Sequence, residues 1–190
     1  MATMNINEIG VGVGKVTGAI FVAPKGTTLP TDAATALNSA FKLLGFTSDA
    51  GVTISESRST SEITAWEGRT IVLTAVTQYT ENVSFTPIQC NEDVVKLMWG
   101  TAAVTVSSGA LAIGHHGKML DPVEIVIESV SNDSIGRVRR YAGTFELVER
   151  GEQTLDGTQV DGRQLSFRAV PDANGITMHE YVAAITGSTN

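Results

Sequence analysis

Residues 51–100 read GVTISESRSTSEITAWEGRT (51–70), IVLTAVTQYTENVSFTPIQ (71–89) and CNEDVVKLMWG (90–100). The change of character across these three pieces decides the fold class. The first is hydroxyl-rich, mixed in charge, and holds only Ile54, Ile63 and Trp66 as large apolar residues. Ser55, Ser57, Ser59, Thr60, Ser61 and Thr64 hydrogen-bond readily to backbone and supply no core. Residues 48–69 therefore read as an extended polar loop arm, and a long loop without a core of its own ordinarily serves a partner. The second piece is β-branched and alternating. Ile71, Leu73 and Ala75 fall on one face and Val72, Thr74 and Val76 on the other, so residues 70–79 read as a central or interface strand. Residues 80–89 follow as its partner, with Pro87 limiting pairing near the end. The third piece is a capped helix over 91–99. Asn91 stands at the N-cap, Glu92 and Asp93 suit the positive end of the dipole, and Gly100 suits the C-terminal stop. Val94, Leu97, Met98 and Trp99 are its packing residues.

Working outward, residues 1–15 are polar and then Gly-rich, a flexible N-terminal arm that a partner would order. VTGAIFVA (16–23) is a strand, ended by Pro24, Lys25 and Gly26. Pro30, Thr31 and Asp32 offer a helix start, followed by Leu37, Phe41 and Leu44 at helical spacing, and Gly45 ends that element. Downstream the chain is almost all strand and turn: 102–106 and 110–113 around Ser108 and Gly109, then 122–130, 137–149, 164–170 and 177–184. Leu165, Phe167 and Ala169 point inward. Asp156-Gly157 and Asp161-Gly162 signal turns, and residues 186–190 form a polar tail. Many short alternating strands with one or two short helices give a mainly β fold: a β-sandwich or half-barrel in a single domain over 16–185.

The totals narrow the function. A chain of 190 residues supports one hydrophobic core. A net charge of −7 with 17% charged residues argues against sequence-independent DNA binding, which needs clustered cations. Arg137, Arg139 and Arg140 are too few to offset that balance. Cys90 is alone, which leaves no intrachain disulfide. The N-terminus has no basic stretch leading into an apolar run, and no apolar run is long enough to span a bilayer; a chain made and kept soluble in a cytoplasm is the expectation. Catalytic patterns fail individually. The run from Gly10 to Lys15 has Ile9 where a phosphate loop needs its first glycine and Val16 where it needs Ser or Thr. His115 and His116 point to opposite sides if on a strand, and only His179 and Cys90 remain as nitrogen or sulfur partners, without ligand spacing. No G-x-S-x-G occurs. Cys90 reads as a partly buried structural thiol. Asn82-Val83-Ser84 and Asn132-Asp133-Ser134 match glycosylation sequons but have no secretion signal beside them. Neither a catalytic residue, a metal nor a cofactor is expected.

Three segments carry a family resemblance: AIFVAPKGTTLPTDAATAL (19–37), FKLLGFTSDAGVTISESRST (41–60) and EITAWEGRTIVLTAVTQYTENVSFTPIQCNEDVVKLMWG (62–100). In that order and spacing they resemble the major tail tube proteins of long, non-contractile-tailed bacteriophages, in the version common among phages of actinobacteria. Pro24-Lys25-Gly26, Leu29-Pro30-Thr31-Asp32 and Ala65-Trp66-Glu67-Gly68 are the most specific pieces. The resemblance implies a β-sandwich protomer with a flanking helix, related in fold to the tube protein of type VI secretion. Six copies would join their inner sheets into a closed β-barrel ring, and rings would stack into a hollow virion tail assembled in the host cytoplasm. It implies as partners further copies of the chain, a tape measure protein in the lumen, tail tip or baseplate and terminator proteins, and DNA only in transit; no membrane is involved. Beyond what the resemblance implies, the extended polar character of the arm leads to the expectation that Arg58, Glu62, Trp66, Glu67 and Arg69 make contacts between rings or subunits. Glu124, Glu128 and Glu146, alternating with apolar neighbours, are expected to face the lumen. A tail terminator or connector ring of the same fold, and a β-sandwich receptor- or carbohydrate-binding module, are the competing readings.

Overall fold

A computed structural model describes residues 11–15, 18–131, 136–158 and 160–184. Its strands are β1 (Gly12–Gly14), β2 (Ile20–Pro24), β3 (Lys42–Leu43), β4 (Thr47–Thr64), β5 (Ile71–Pro87), β6 (Val104–Ser107), β7 (Ala110–Ile113), β8 (Val123–Ser131), β9 (Arg137–Arg150), β10 (Leu165–Val170) and β11 (His179–Ala184). One helix, α1 (Glu92–Trp99), lies between β5 and β6. The architecture is mainly β, as the alternation predicts. Nine strands form one antiparallel sheet in the order β3-β2-β8-β9-β10-β5-β4, with β1 joining the β8 edge beside β2 and β11 joining the β9 edge beside β10. The remaining two, β6 and β7, form a separate hairpin around the turn at Ser108 and Gly109.

Two faces of the central strand β8 are covered by different means. Ile125 and Ile127 join Ile20, Val83, Phe85, Phe145, Leu165 and Phe167 in the main core, where Phe85 stacks on Phe167 at 5.4 Å. Helix α1 adds Val94 and Leu97 to that core and turns Val95 and Trp99 toward Val104 of β6. The other face of β8 carries Glu124, Val126 and Glu128, and all three are buried. Both acids are held by hydrogen bonds, as burial of a charge requires. Glu124 accepts from the Gly26 N–H at 3.0 Å and the Thr144 hydroxyl at 2.7 Å. Glu128 accepts from Arg140 at 2.9 and 2.6 Å and pairs with Lys15 at 3.0 Å.

Four local expectations are revised. No helix follows Pro30. Asp32 accepts from the N–H groups of Ala34 and Thr35, and the carbonyls of Asp32 and Thr35 accept from Arg140 at 2.7 and 2.8 Å. Those carbonyls serve a distant guanidinium rather than helical N–H groups, and one α-helix is found among the described residues where two were allowed. The polar arm is extended, but as the 18-residue strand β4 rather than a loop. Residues 71–87 are a single strand paired with β4, not two strands paired with each other. Part of the expected flexible leader is strand β1, whose Gly12 and Gly14 oppose Ser131 and Ser129 of β8. Residues 1–10, the beginning of the strand expected from residue 16, and the expected tail at 186–190 lie outside the described residues.

Candidate assembly surface

Among the described residues no group of three His, Cys, Asp or Glu side chains could hold a metal. Cys90 is exposed rather than partly buried. His115 and His116 both face Trp99: His115 stacks on the indole at 3.9 Å, and His116 meets it edge-on at 6.4 Å. The conspicuous feature of the molecule is a hairpin.

Strand β10 pairs with β5 only at Asn82–Phe85, while β4 stays paired with β5 as far as Thr64 and Ile71. From Glu81 back to Ile71 the hairpin therefore projects on the order of 35 Å at about 3.3 Å per residue. Its register shifts between Ser59 and Thr60 and again between Ile63 and Thr64, each time with an extra residue, Thr77 and then Val72, on β5. Such bulges bend a strand and increase its twist.

Direct cross-strand partners share a face, so the register assigns two unlike surfaces. One continues the core outward: Val52, Ile54, Glu56, Arg58, Thr60, Glu62 and Thr64 against Phe85, Val83, Glu81, Tyr79, Val76, Thr74 and Ile71. The other carries Thr53, Ser55, Ser57, Ser59, Ser61 and Ile63 against Ser84, Asn82, Thr80, Gln78, Ala75 and Leu73. No charged residue lies on this second surface. Ile63, Ile71, Val72, Leu73 and Val76 are each 52–62% exposed. Ile71 and Val76 belong to the first face, Ile63 and Leu73 to the second, and Val72 to a bulge, so the exposed apolar residues cluster around the distal part of the hairpin, as at surfaces used for association. The outer edge of β4 adds to the case. It ends the sheet, and its 18 residues include neither Lys nor Pro, two devices that commonly protect a long edge from pairing.

The arm residues singled out from the sequence are spread along this hairpin. Arg58 lies 5.6 Å above the ring of its cross-strand partner Tyr79, whose hydroxyl donates to Glu56 at 3.2 Å. Desolvation, then the charges of Glu81 and Glu56, raise the Tyr79 pKa. Glu62 opposes Thr74. Trp66, Glu67 and Arg69 occupy the connecting turn, which the Ala65 N–H closes by donating to the Thr70 carbonyl at 2.8 Å. Gly68 and Arg69 both take positive φ there, 66° and 53°, and Trp66 is 94% exposed. The acidic trio is divided. Glu124 and Glu128 are 5% and 3% exposed, and their charges are spent inside the protomer. Glu146 stays at the surface, paired with Arg168, whose Nε donates to it at 2.7 Å. Of the helix residues, Val94, Leu97 and Trp99 are buried and Met98 partly so; Val95, not anticipated, is buried as well.

A second feature lies at the end of α1. A half-open pocket of about 120 Å³ is lined by Val94, Val95, Met98, Trp99, His115 and Arg163, among others. His115 covers one face of the Trp99 indole, and the Arg150 guanidinium lies 4.4 Å from its centroid, with Arg163 at 5.9 Å. Burial, and then the charge of Arg163, lower the Arg150 pKa. Nothing in the sequence pointed to these arginines, because the contact joins residues from α1, the end of β9 and the loop before β10.

The family model described as phage tail tube protein matches residues 2–181. No curated protein matches the chain.

Proposed function

We propose, from the premise that the chain belongs to the phage tail tube protein family, that it is the major tail tube subunit, polymerising through its hairpin and open sheet edge. It is a structural component of a virion tail, and the finer reading is of stacked rings enclosing a conduit for DNA. The observation that carries this reading is the β4–β5 hairpin: a long open edge and a cluster of exposed apolar residues projecting from a well-packed body. A two-stranded ribbon of that length is marginal alone in water. Pairing of the β4 edge with a neighbouring copy gives its backbone groups partners, and closure into a ring leaves no edge for uncontrolled growth. The turn residues Trp66, Glu67 and Arg69, with Arg58 and Glu62 behind them, then meet an adjacent ring or subunit.

The net charge of −7 suits a wall that DNA slides past without adhering. Glu146 is the one residue of the acidic trio with surface exposure to contribute to that wall. Tape measure, tail tip and terminator proteins follow as partners, with assembly in the host cytoplasm.

Negative-stain electron microscopy of the purified protein across a concentration series, with light scattering beside it, tests the reading. Hollow tubes or stacked rings are expected. Isolated rings that never stack favour a terminator, and monomers that ignore an added tail-tip complex favour a binding module. Trp66→Ala is expected to impair polymerisation, and tubes forming normally from that variant would remove the assigned role of the turn.

A further inference from the structure

The pocket at the end of α1 is lined by one guanidinium, that of Arg163, while Arg150 lies beside it against the Trp99 ring. Arg163 Nε is buried without a hydrogen-bond acceptor. Arg150 commits its Nε–H to the Met98 carbonyl at 2.7 Å, and no ion pair joins either guanidinium to a carboxylate among the described residues. Asp161 lines the same pocket, but its Oδ1 accepts from Gln153 at 2.6 Å. A buried, unpaired N–H is destabilising, more so on a charged group. The indole face of Trp99 offsets part of that, yet a planar fork of donors is best matched by a carboxylate. The wall beside Arg163 is apolar: Val94, Val95 and Met98.

The hairpin turn presents the complementary pair. Trp66 is fully offered to solvent, and Glu67 follows it with no ion pair among the described residues. The arm is on the order of 35 Å long, while a domain of this size has a radius of gyration of about 15 Å. A sphere of that radius of gyration is about 40 Å across, so the turn stands most of a protomer width out from the body, within reach of a second copy.

We propose that the pocket walled by Trp99 and Arg163 is a receptor for the hairpin turn of a second copy of this chain. The Glu67 carboxylate accepts hydrogen bonds from the Arg163 guanidinium, and Trp66 packs against the apolar wall. This rests on the tube reading and names the surface that the turn meets. Each copy is then both donor and receptor, which is the head-to-tail geometry that propagates rather than closes.

Charge reversal tests it by light scattering and electron microscopy of the full chain. Glu67→Arg and Arg163→Glu are each expected to raise the critical concentration about tenfold or more, the range for a hydrogen-bonded charge pair, and the double swap to recover most of the loss. If Arg163→Glu proves unfolded by circular dichroism, the neutral pair Glu67→Gln and Arg163→Gln gives the same information. Each alone weakens assembly, and together they cost little more than one, as coupled residues do. Single variants that form tubes at the wild-type concentration overturn the pairing while leaving the tube reading intact. A strong Arg163 effect with a silent Glu67 overturns it too, and assigns the pocket to another carboxylate. If the wild type forms no tubes even on a tail-tip complex, both readings fall together.

Discussion

Asn91 ties two elements together through the two ends of one amide. Its Oδ1 accepts from the Val94 N–H at 2.8 Å and so caps α1, while its Nδ2 donates to the Leu44 carbonyl at 2.8 Å. Leu44 is 1% exposed, so its carbonyl depends on that donor. Asn91→Ala should cost about 2 kcal/mol, a lost cap plus an orphaned buried acceptor. Asn91→Asp retains the cap and removes only the donor, and should cost less. Urea unfolding of the three proteins would decide, and equal loss in both variants would show the cap to be unimportant. Asp32 makes a different use of a polar side chain. Hydrogen bonds from the Thr35 hydroxyl, then the N–H groups of Thr35 and Ala34, lower its pKa from 3.8 to about 2. A carboxylate with a depressed folded-state pKa stabilises above its unfolded value, and that stabilisation is lost as pH falls toward the folded value. The window is therefore pH 4 down to about 2. Glu92, through Lys96, and Asp172, through the Ile176 N–H, are lowered as well and contribute to the same acid limb. Asp32→Asn should flatten that limb without abolishing it; identical wild-type and variant profiles of urea midpoint against pH would remove Asp32 from the account.

At the scale of elements, legibility followed burial. Strands with one face in the core, such as β10 with Leu165, Phe167 and Ala169, show their period-2 pattern directly, and α1 shows both its cap and its stop. Strand β4 has no apolar face, so its hydroxyls read as a loop; its structure comes from a register with β5 that local sequence does not display. The helix expected after Pro30 fails for a related reason, since the spacing of Leu37, Phe41 and Leu44 is real but Arg140, over a hundred residues later, takes the carbonyls. Glu124 and Glu128 alternate with apolar neighbours as solvent-facing residues do, and only the segment carrying Gly26 and Asp32, together with Arg140 and Lys15, reveals that face as interior. The hairpin also has a consequence for proteolysis. A turn with Trp66 at 94% exposure, far from the body, is the natural first cut for chymotrypsin in the isolated protomer. Limited digestion should give a single early cleavage after Trp66 and much slower cutting once tubes have formed. Equal rates in protomer and tube would mean that the turn stays uncovered in the assembly.

For the whole molecule, assembly sets an apolar surface and an open edge against the repulsion of like-charged copies. Each chain carries −7, and the proposed stacking would bring many copies within a few tens of ångströms. The Debye length falls from about 30 Å at 0.01 M salt to about 10 Å at 0.1 M and about 3 Å at 1 M. Repulsion between neighbours is thus screened strongly across that range, while burial of Ile71, Leu73 and Val76 is not weakened. The proposed contact between Glu67 and Arg163 sits partly inside a pocket, where salt screens less than at an open surface. Added salt should therefore lower the critical concentration for polymerisation, steeply up to about 0.1 M and gently above it. Light scattering at fixed protein concentration over that range is the measurement. A critical concentration that climbs steadily with salt would show that exposed ion pairs between copies outweigh their net repulsion. The apolar hairpin surface would then be the minor part of the interface.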